Sequence, residues 1–283
     1  MSGTKRNILN KTSKVELPLV SIIIPVYNRS ERVINTLESI VKCDYRPLEI
    51  LIIDDGSNDG SLKACLSYAN TTITNDLSIK TIRFDKNLGA PEARNKGLEM
   101  SSGKYIQFFD SDDIIHREKL SIQVAQLLNS NSKISVCDFI IQPNDRRISN
   151  NFPSYKILDA HRSLSIAAPL ISAEIAKSIK WSKAVKKHQD MDYIARCLLL
   201  SKEKVSYTDY IGYTYYLHDD ISISKSYKNN NKFFAERSKE IWNLVITGDL
   251  SIIRMCNAFV LLISLRLGML KLFLKRNISW RFI

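Results

Sequence analysis

Three carboxylates fall within four positions in Asp110-Ser111-Asp112-Asp113, directly after the run Tyr105-Ile106-Gln107-Phe108-Phe109. Acidic groups this close repel one another unless a positive charge sits among them. A divalent cation that prefers hard oxygen ligands, Mn²⁺ or Mg²⁺, meets that need, and such a metal keeps waters and binds substrate phosphates. The plain alternative is a solvated acidic turn after a core strand. Two more polar clusters precede it, Pro25-Val26-Tyr27-Asn28 and Asp54-Asp55-Gly56-Ser57-Asn58-Asp59-Gly60. A fourth, Gln189-Asp190-Met191-Asp192, opens a stretch with helical periodicity.

The first three clusters each follow or close an apolar run, the mark of a strand buried on both faces. These runs are Leu19 to Val26, Leu48 to Ile53 and Tyr105 to Phe109, and Ile79 to Phe84 is a further strand. Between them lie helical patterns. Val33, Leu37, Ile40 and Val41 share one face, with Asn28 and Glu31 spaced as a capping box. A second helix runs from the Gly60 turn to about Asn70. A third opens at Gly89 with Pro91 in its first turn, carries Arg94, Asn95 and Lys96, and stops at Gly103. A helix from Glu118 to Asn129 and a strand from Ile134 to Ile141 complete the series. Repeated strand–helix units predict a mainly parallel sheet with helices on both faces. Ligands of such sheets bind at the carboxyl ends of the strands, where the three clusters would gather.

Beyond residue 142 the pattern loosens. The polar stretch from Pro143 to Arg147 reads as a turn, Pro169 to Ser172 leads into a short helix ending at Ile179, and Trp181 follows. The helix opening at His188 turns Ile194, Cys197 and Leu198 inward and carries Asp190 at its start, where the dipole favours a carboxylate. Val205 to Tyr207 and Ile211 to Leu217 are strand-like and rich in tyrosine.

The bulk composition, 283 residues with 45% apolar and 25% charged, suits one large domain, or a domain with an appendage. Five scattered cysteines without CxxC spacing read as reduced thiols of a cytosolic protein. Met1 to Lys14 lacks the apolar core of a signal peptide, and no long uncharged apolar run predicts a spanning helix. The net charge of +12 calls for anionic partners: phosphorylated substrates, a membrane surface or nucleic acid. Zinc-finger spacing, a basic region leading into heptads and an aromatic RNA-reading signature are all missing, which argues against nucleic acid. Ser251 to Ile283 holds no acidic residue and sets Arg254, Arg266, Lys271, Lys275, Arg276 and Arg281 among leucines and aromatics. That mixture predicts a helix lying in a membrane interface against anionic head groups. A core-packing helix with a basic outer face is the alternative.

In order and spacing the motifs resemble those of family 2 glycosyltransferases of the GT-A (Rossmann-like) α/β fold. The resemblance rests on Val20 to Asn28, Ile53-Asp54-Asp55-Gly56-Ser57, Asn87-Leu88-Gly89 with Ala93-Arg94-Asn95-Lys96-Gly97, and Phe109-Asp110-Ser111-Asp112-Asp113 as the DxD motif. It is close over about residues 19–130, looser over 165–226, and faint in the last fifty. It implies a single domain at 18–226, with a nucleotide-binding half (18–130) and an acceptor-binding half (131–226). A basic lead-in (1–17) precedes the domain, and a helical, basic, amphipathic extension (227–283) follows it.

The resemblance further implies an inverting, metal-dependent hexosyl transfer from a nucleoside-diphosphate sugar, UDP favoured. The acceptor would be a polysaccharide or lipid-linked glycan of bacterial O-antigen, capsule or lipopolysaccharide assembly. The enzyme would work in the cytoplasm, docked peripherally on the inner face of the plasma membrane. Pro25, Tyr27 and Asp55 would hold the base and ribose, Arg94 and Asn95 would lie near the nucleotide, and Asp110 and Ser111 near ribose or sugar. Asp112 would be the main protein ligand of Mn²⁺ or Mg²⁺, with His218 approaching metal or diphosphate. The family's Glu-Asp motif, which carries the general base, stands here as Gln189-Asp190. Asp190 would be the base and Asp192 its rival; the missing glutamate leaves acceptor orientation unassigned.

Other classes fit less well. An Asp-nucleophile phosphatase opens its domain with Asp-x-Asp, whereas here that motif closes the fourth strand. A nucleotidyltransferase of related fold needs a glycine-rich loop after the first strand, which Pro25-Val26-Tyr27-Asn28-Arg29 lacks. A non-catalytic basic membrane-binding protein would explain the charge but not the ordered carboxylates.

Overall fold

Four of the apolar runs become four neighbouring parallel strands: β1 (Val20–Val26), β2 (Leu48–Asp54), β3 (Leu77–Arg83) and β4 (Tyr105–Phe108), in the order β3-β2-β1-β4. The computed structural model describes residues 16–72, 74–151, 165–183, 185, 189–200 and 205–217. Every residue of β2 is buried, as is nearly all of β1, which is why both read as unbroken apolar runs rather than alternating ones. Register sets Val26 beside Asp54, and Asp54 beside Arg83, so the ends that carry polar residues line up.

Beyond β4 the sheet becomes mixed. β8 (Pro169–Ser172) runs antiparallel to β4 and to β6 (Ile134–Gln142), and β9 (Ser206–Tyr216) runs parallel to β6. The short β5 (Ile114–Ile115) caps this edge against β9, while β7 (Arg146–Ile148) forms a hairpin with β6. The described helices are α1 (Val33–Val41), α2 (Ser61–Thr72), α3 (Ala90–Met100), α4 (Lys119–Ser130), α5 (Ala173–Lys177) and α6 (Gln189–Leu200).

Several local expectations are corrected. Asn28 does not cap α1, which begins at Val33 behind Arg32 with no side-chain cap. It is left-handed instead (φ 51°), a conformation that asparagine tolerates. Its N–H donates to Ser57 Oγ, and its side-chain oxygen accepts from the Asn58 N–H, joining the loops after β1 and β2. Gly103 does not terminate α3, which ends with Ser101 in extended conformation. A Cβ at Gly103 would lie 2.6 Å from the Ser21 nitrogen and Oγ, so the residue serves close approach to β1. The pieces read at 205–207 and 211–217 belong to one strand, β9 (Ser206–Tyr216), whose register against β6 slips near Asp138. β7 overlaps the expected polar turn at the exposed Arg146 and Arg147 and adds only the half-buried Ile148, too short a run to show a period.

Candidate active site

The loops after β1 and β2 are fastened to each other and to the start of α3. The Arg29 N–H donates to Ser61 Oγ (2.7 Å) and the Ser30 N–H to Asp59 Oδ2 (3.1 Å). Asp55, 3% exposed, accepts the N–H groups of Leu88 (2.6 Å) and Gly89 (2.8 Å), one on each carboxylate oxygen. Burial pushes the Asp55 carboxyl up, those two donors oppose the push, and neighbouring Asp54 adds to it. Gly56 permits the turn, with φ +74° and room for no Cβ: one would lie 2.7 Å from the Lys86 carbonyl carbon. Pro25, beside Ile53 in register, and Tyr27, 42% exposed, complete this corner of the sheet. Asp54 braces the turn, accepting from the Ser57 N–H and lying 3.8 Å from Arg83.

At the end of β4 the acidic loop meets two arginines. Arg94, from α3, is 5% exposed and donates to Asp110 at 2.8 Å, while its other terminal nitrogen lies 3.7 Å from Asp190 on α6. Arg29, from the β1 loop, lies 3.4 Å from Asp112. Ser111 and Asp113 are buried beneath. Asp113 accepts the Tyr216 N–H through Oδ1, which ties the acidic loop to the end of β9, and its Oδ2 finds no hydrogen-bond partner among the described residues. Burial, then Asp110 and Asp112, push the Asp113 carboxyl well above the usual carboxylate range.

Asp190 occupies the first turn of α6. Its side chain is 31% exposed, yet protein crowds it closely enough that burial outweighs the opposing pull of Arg94. With Asp110 also raising it and the Ile166 N–H lowering it, its pKa stands at about 6. The rival Asp192 is buried and paired with Arg196 one turn along, which itself donates to the Lys180 carbonyl. Gln189 donates to the Val185 carbonyl.

Trp181 is not open to stack on a sugar. It is 3% exposed, with Tyr193 stacked at 4.2 Å and the Arg94 guanidinium 4.4 Å from its ring centroid. Asn95 clasps the main chain of Trp181, donating to its carbonyl (3.0 Å) and accepting its N–H (2.8 Å). That amide, expected near the nucleotide, joins α3 to the segment ahead of α6.

The structure therefore sets Asp110 and Asp190 each against Arg94, with Ser111 and Asp112 following Asp110 in the same loop. Pro25, Tyr27 and Asp55 form the adjoining corner, and His218 lies outside the described residues. Arg29 and Ile166 carried no assigned role in the sequence, and Asp113 was named only as the third carboxylate of its cluster. Arg29 had one signal, as the first charged residue after β1. Ile166 acts through its main chain and left none.

Among the described residues, no three His, Cys, Asp or Glu side chains converge into a closed metal cage. After burial, the hard carboxylates of Asp110 and Asp112 are what raise the proton affinity of Asp113. That donor set fits a Mg²⁺ or Mn²⁺ held by one or two carboxylates plus substrate phosphates, rather than a structural metal.

Residues 21–167 match the sequence profile of glycosyl transferase family 2. The chain belongs to that family. A Haemophilus influenzae relative described as an uncharacterized glycosyltransferase is 30% identical over 201 residues, covering 69% of this chain and 77% of its own. Several other curated relatives are matched over little more than half of their length or less. The Escherichia coli UDP-Glc:alpha-D-GlcNAc-diphosphoundecaprenol beta-1,3-glucosyltransferase WfgD is 32% identical, covering 49% of this chain and 53% of its own. A Rickettsia felis glycosyltransferase is 41% identical over 40% of this chain and 18% of its own. The structure of S. aureus TarS in complex with UDP-GlcNAc superposes with a TM-score of 0.73 at 21% identity, covering 87% of this chain and 71% of that one. This likeness is one of GT-A fold. No helix among the described residues is long and apolar enough to cross a membrane.

Proposed function

We propose that this family 2 glycosyltransferase moves a hexose or N-acetylhexosamine, with inversion, from a UDP-sugar to a glycan or lipid-linked acceptor of bacterial surface polysaccharide. One observation carries the proposal: Asp190, with a pKa of about 6, faces Asp110 and the buried Arg94. A base works best when its pKa lies near the working pH. Ionised Asp190 takes the proton of an acceptor hydroxyl. The freed oxygen attacks the anomeric carbon from the face opposite the diphosphate, the bond to the diphosphate oxygen breaks, and its electrons leave with the diphosphate. Displacement from the opposite face inverts the anomeric configuration.

Tyr27, Pro25 and Asp55 would frame the nucleotide, and Arg94 and Asp110 would orient the donor. Asp112 would hold Mn²⁺ or Mg²⁺, which when bound neutralises charge on the departing diphosphate. A UDP donor is supported by the printed ligand of TarS, UDP-GlcNAc, and by the UDP-Glc in the name of WfgD. A metal is supported by the Mn²⁺ in the neighbouring Pyrobaculum calidifontis mannosyltransferase structure, which shares the fold at a TM-score of 0.61. The lipid-linked acceptor is supported by the diphosphoundecaprenol acceptor in the name of WfgD, and the surface polysaccharide by relatives such as the putative teichuronic acid enzyme TuaG of Bacillus subtilis.

Residues 227–283 lie outside the described residues, and the basic apolar tail would dock the enzyme on the inner leaflet. Flotation with anionic vesicles tests it: a chain shortened before residue 251 that floats as well as the full one defeats the tether. The central test is release of nucleotide from UDP-, GDP- and dTDP-sugars with Mn²⁺ and with EDTA. Metal-dependent turnover of one donor, lost in Asp190→Asn once acceptor is present, supports the reading. Failure to bind any nucleotide defeats it.

A further inference from the structure

Arg94 and Asn95 are neighbours on α3, and both reach one residue outside it, Trp181, in the segment between α5 and α6. Asn95 takes the main chain of Trp181 at both polar groups, donating to the carbonyl at 3.0 Å and accepting the N–H at 2.8 Å. Arg94 takes the ring, with its guanidinium carbon 4.4 Å from the centroid. The ring is itself fixed. Tyr193 of α6 stacks on it, 4° from parallel, and Phe108 of β4 meets it at 76° with centroids 5.1 Å apart. The indole N–H, though buried, finds no hydrogen-bond partner among the described residues, so what this side chain offers a cation is its π-face.

A guanidinium out of water is aimed by what surrounds it. Arg94 is 5% exposed, and its Nε also finds no hydrogen-bond partner among the described residues. That leaves its two terminal nitrogens and its π-contact. One nitrogen donates to Asp110 at 2.8 Å, and the other lies 3.7 Å from Asp190. A cation is drawn to an indole face, most strongly where both are desolvated, so the ring supplies the third contact. We propose that Trp181, pinned through its main chain by Asn95, is a positioning residue: its ring holds the Arg94 guanidinium between Asp110 and Asp190. This rests on the reading of Asp190 as base. Leucine at 181 would fill the core without offering a face to the cation.

The test follows the Asp190 carboxyl directly, by ¹³C NMR of aspartate-labelled protein, with Asp190→Asn to assign its signal. The pH dependence of kcat/KM and the Kd for UDP are measured beside it. The charged and titratable groups that act on Asp190, or feel it, are Arg94 on α3, Asp110 and Asp113 in the acidic loop and Tyr215 on β9. All of them remain in Trp181→Leu, Trp181→Phe and Asn95→Ala. In Trp181→Leu and Asn95→Ala the cation is loosened, so the carboxyl titrates at higher pH and the acid limb follows it. In both, kcat/KM at pH 7 falls about tenfold while UDP binds within about threefold of wild type. Trp181→Phe keeps an aromatic face and restores most of the titration and of the rate. Added to Arg94→Met, Trp181→Leu moves the titration no further, because the group it positions is gone. Where Trp181→Leu fails to fold, Asn95→Ala carries the same comparison, since that side chain is only half-buried.

A wild-type titration in Asn95→Ala overturns the proposal, and so does one in a folded Trp181→Leu. So does a further shift in the Arg94→Met background, or an equal loss in Trp181→Phe and Trp181→Leu. UDP binding weakened about tenfold in Asn95→Ala, with an unmoved titration, would assign that amide to the nucleotide and overturn it too. Wild-type turnover by Asp190→Asn would instead overturn the base reading. The two failures are distinguishable, because the carboxyl titration does not depend on turnover.

Discussion

The guanidinium of Arg94 approaches Asp190 to 3.7 Å. A buried cation at that range favours the ionised carboxylate, but burial of Asp190 prevails and leaves its pKa at about 6. A base so tuned is ionised at neutral pH and still binds a proton readily. The expected kcat/KM profile falls about tenfold per pH unit below about 6 and flattens above it. Asp190→Asn should lose about 10²- to 10⁴-fold in kcat while keeping UDP affinity. Steady-state kinetics from pH 5 to 8, with titration calorimetry for UDP, check both.

Replacing Arg94 should move that limb in a predictable direction. Arg94→Met removes the cation that lowers Asp190, so the limb rises above about 6 and kcat/KM at pH 7 drops about tenfold or more. Arg94→Lys keeps the charge but cannot fork between Asp110 and Asp190 as the guanidinium does, so it should restore the limb more than the rate. A pH profile for each variant separates the two effects.

The same shift has a consequence for stability. The folded-state pKa of Asp190, about 6, lies above an ordinary aspartate's. The folded chain therefore holds the proton more tightly than the unfolded one. That contribution is complete below about pH 3.9, the unfolded value, and is lost as pH rises through about 6. Asp190→Asn, always neutral, should raise the Tm relative to wild type at pH 8 and leave it nearly unchanged at pH 4. Thermal melts at the two pH values test the sign.

Asp112→Ala should abolish the metal response. The remaining carboxylate, Asp110, is already held by Arg94 at 2.8 Å, and Asp113 is buried beneath. Mn²⁺-stimulated donor hydrolysis should fall about 10²-fold or more, and EDTA should lower wild-type activity to a similar level. A Mn²⁺ titration of both proteins at fixed donor measures this.

What could be read from the sequence was whatever repeats along the chain. β1, β2 and β4 are buried on both faces, so each stood out as an apolar run, and the acids at their ends marked the site edge. The position of Asp190 at a helix start was legible from the local pattern, and its role as base came only as what the resemblance implies. The rest depends on contacts between distant segments. Asn95 and Trp181 are 86 positions apart, and nothing local tells that the asparagine holds the Trp181 main chain. Lys119 sits where a helix usually turns a lysine to solvent, and only Gln107, Gln123 and Gly212 together make room for it inside. β5 and β7, of two and three residues, are too short to show a period.

Two glycines in one turn separate backbone strain from collision. Gly56 and Gly60 both have positive φ, +74° and +94°, so alanine at either costs about 1–2 kcal/mol of conformational strain. They differ in surroundings. A Cβ at Gly60 meets nothing within 4 Å, whereas one at Gly56 would lie 2.7 Å from the Lys86 carbonyl carbon and 2.9 Å from the Asn87 nitrogen, both main-chain atoms. That segment leads directly to Leu88 and Gly89, whose N–H groups Asp55 holds. Gly56→Ala must therefore push the 86–89 loop away from Asp55, and Gly60→Ala need not. Both variants should lower the Tm, but only Gly56→Ala should weaken UDP binding, by about tenfold or more. Calorimetric titration of UDP into the two variants decides whether the Asp55 clasp on the loop shapes the nucleotide corner: equal losses would mean that the strain of the turn, and not the clasp, governs binding.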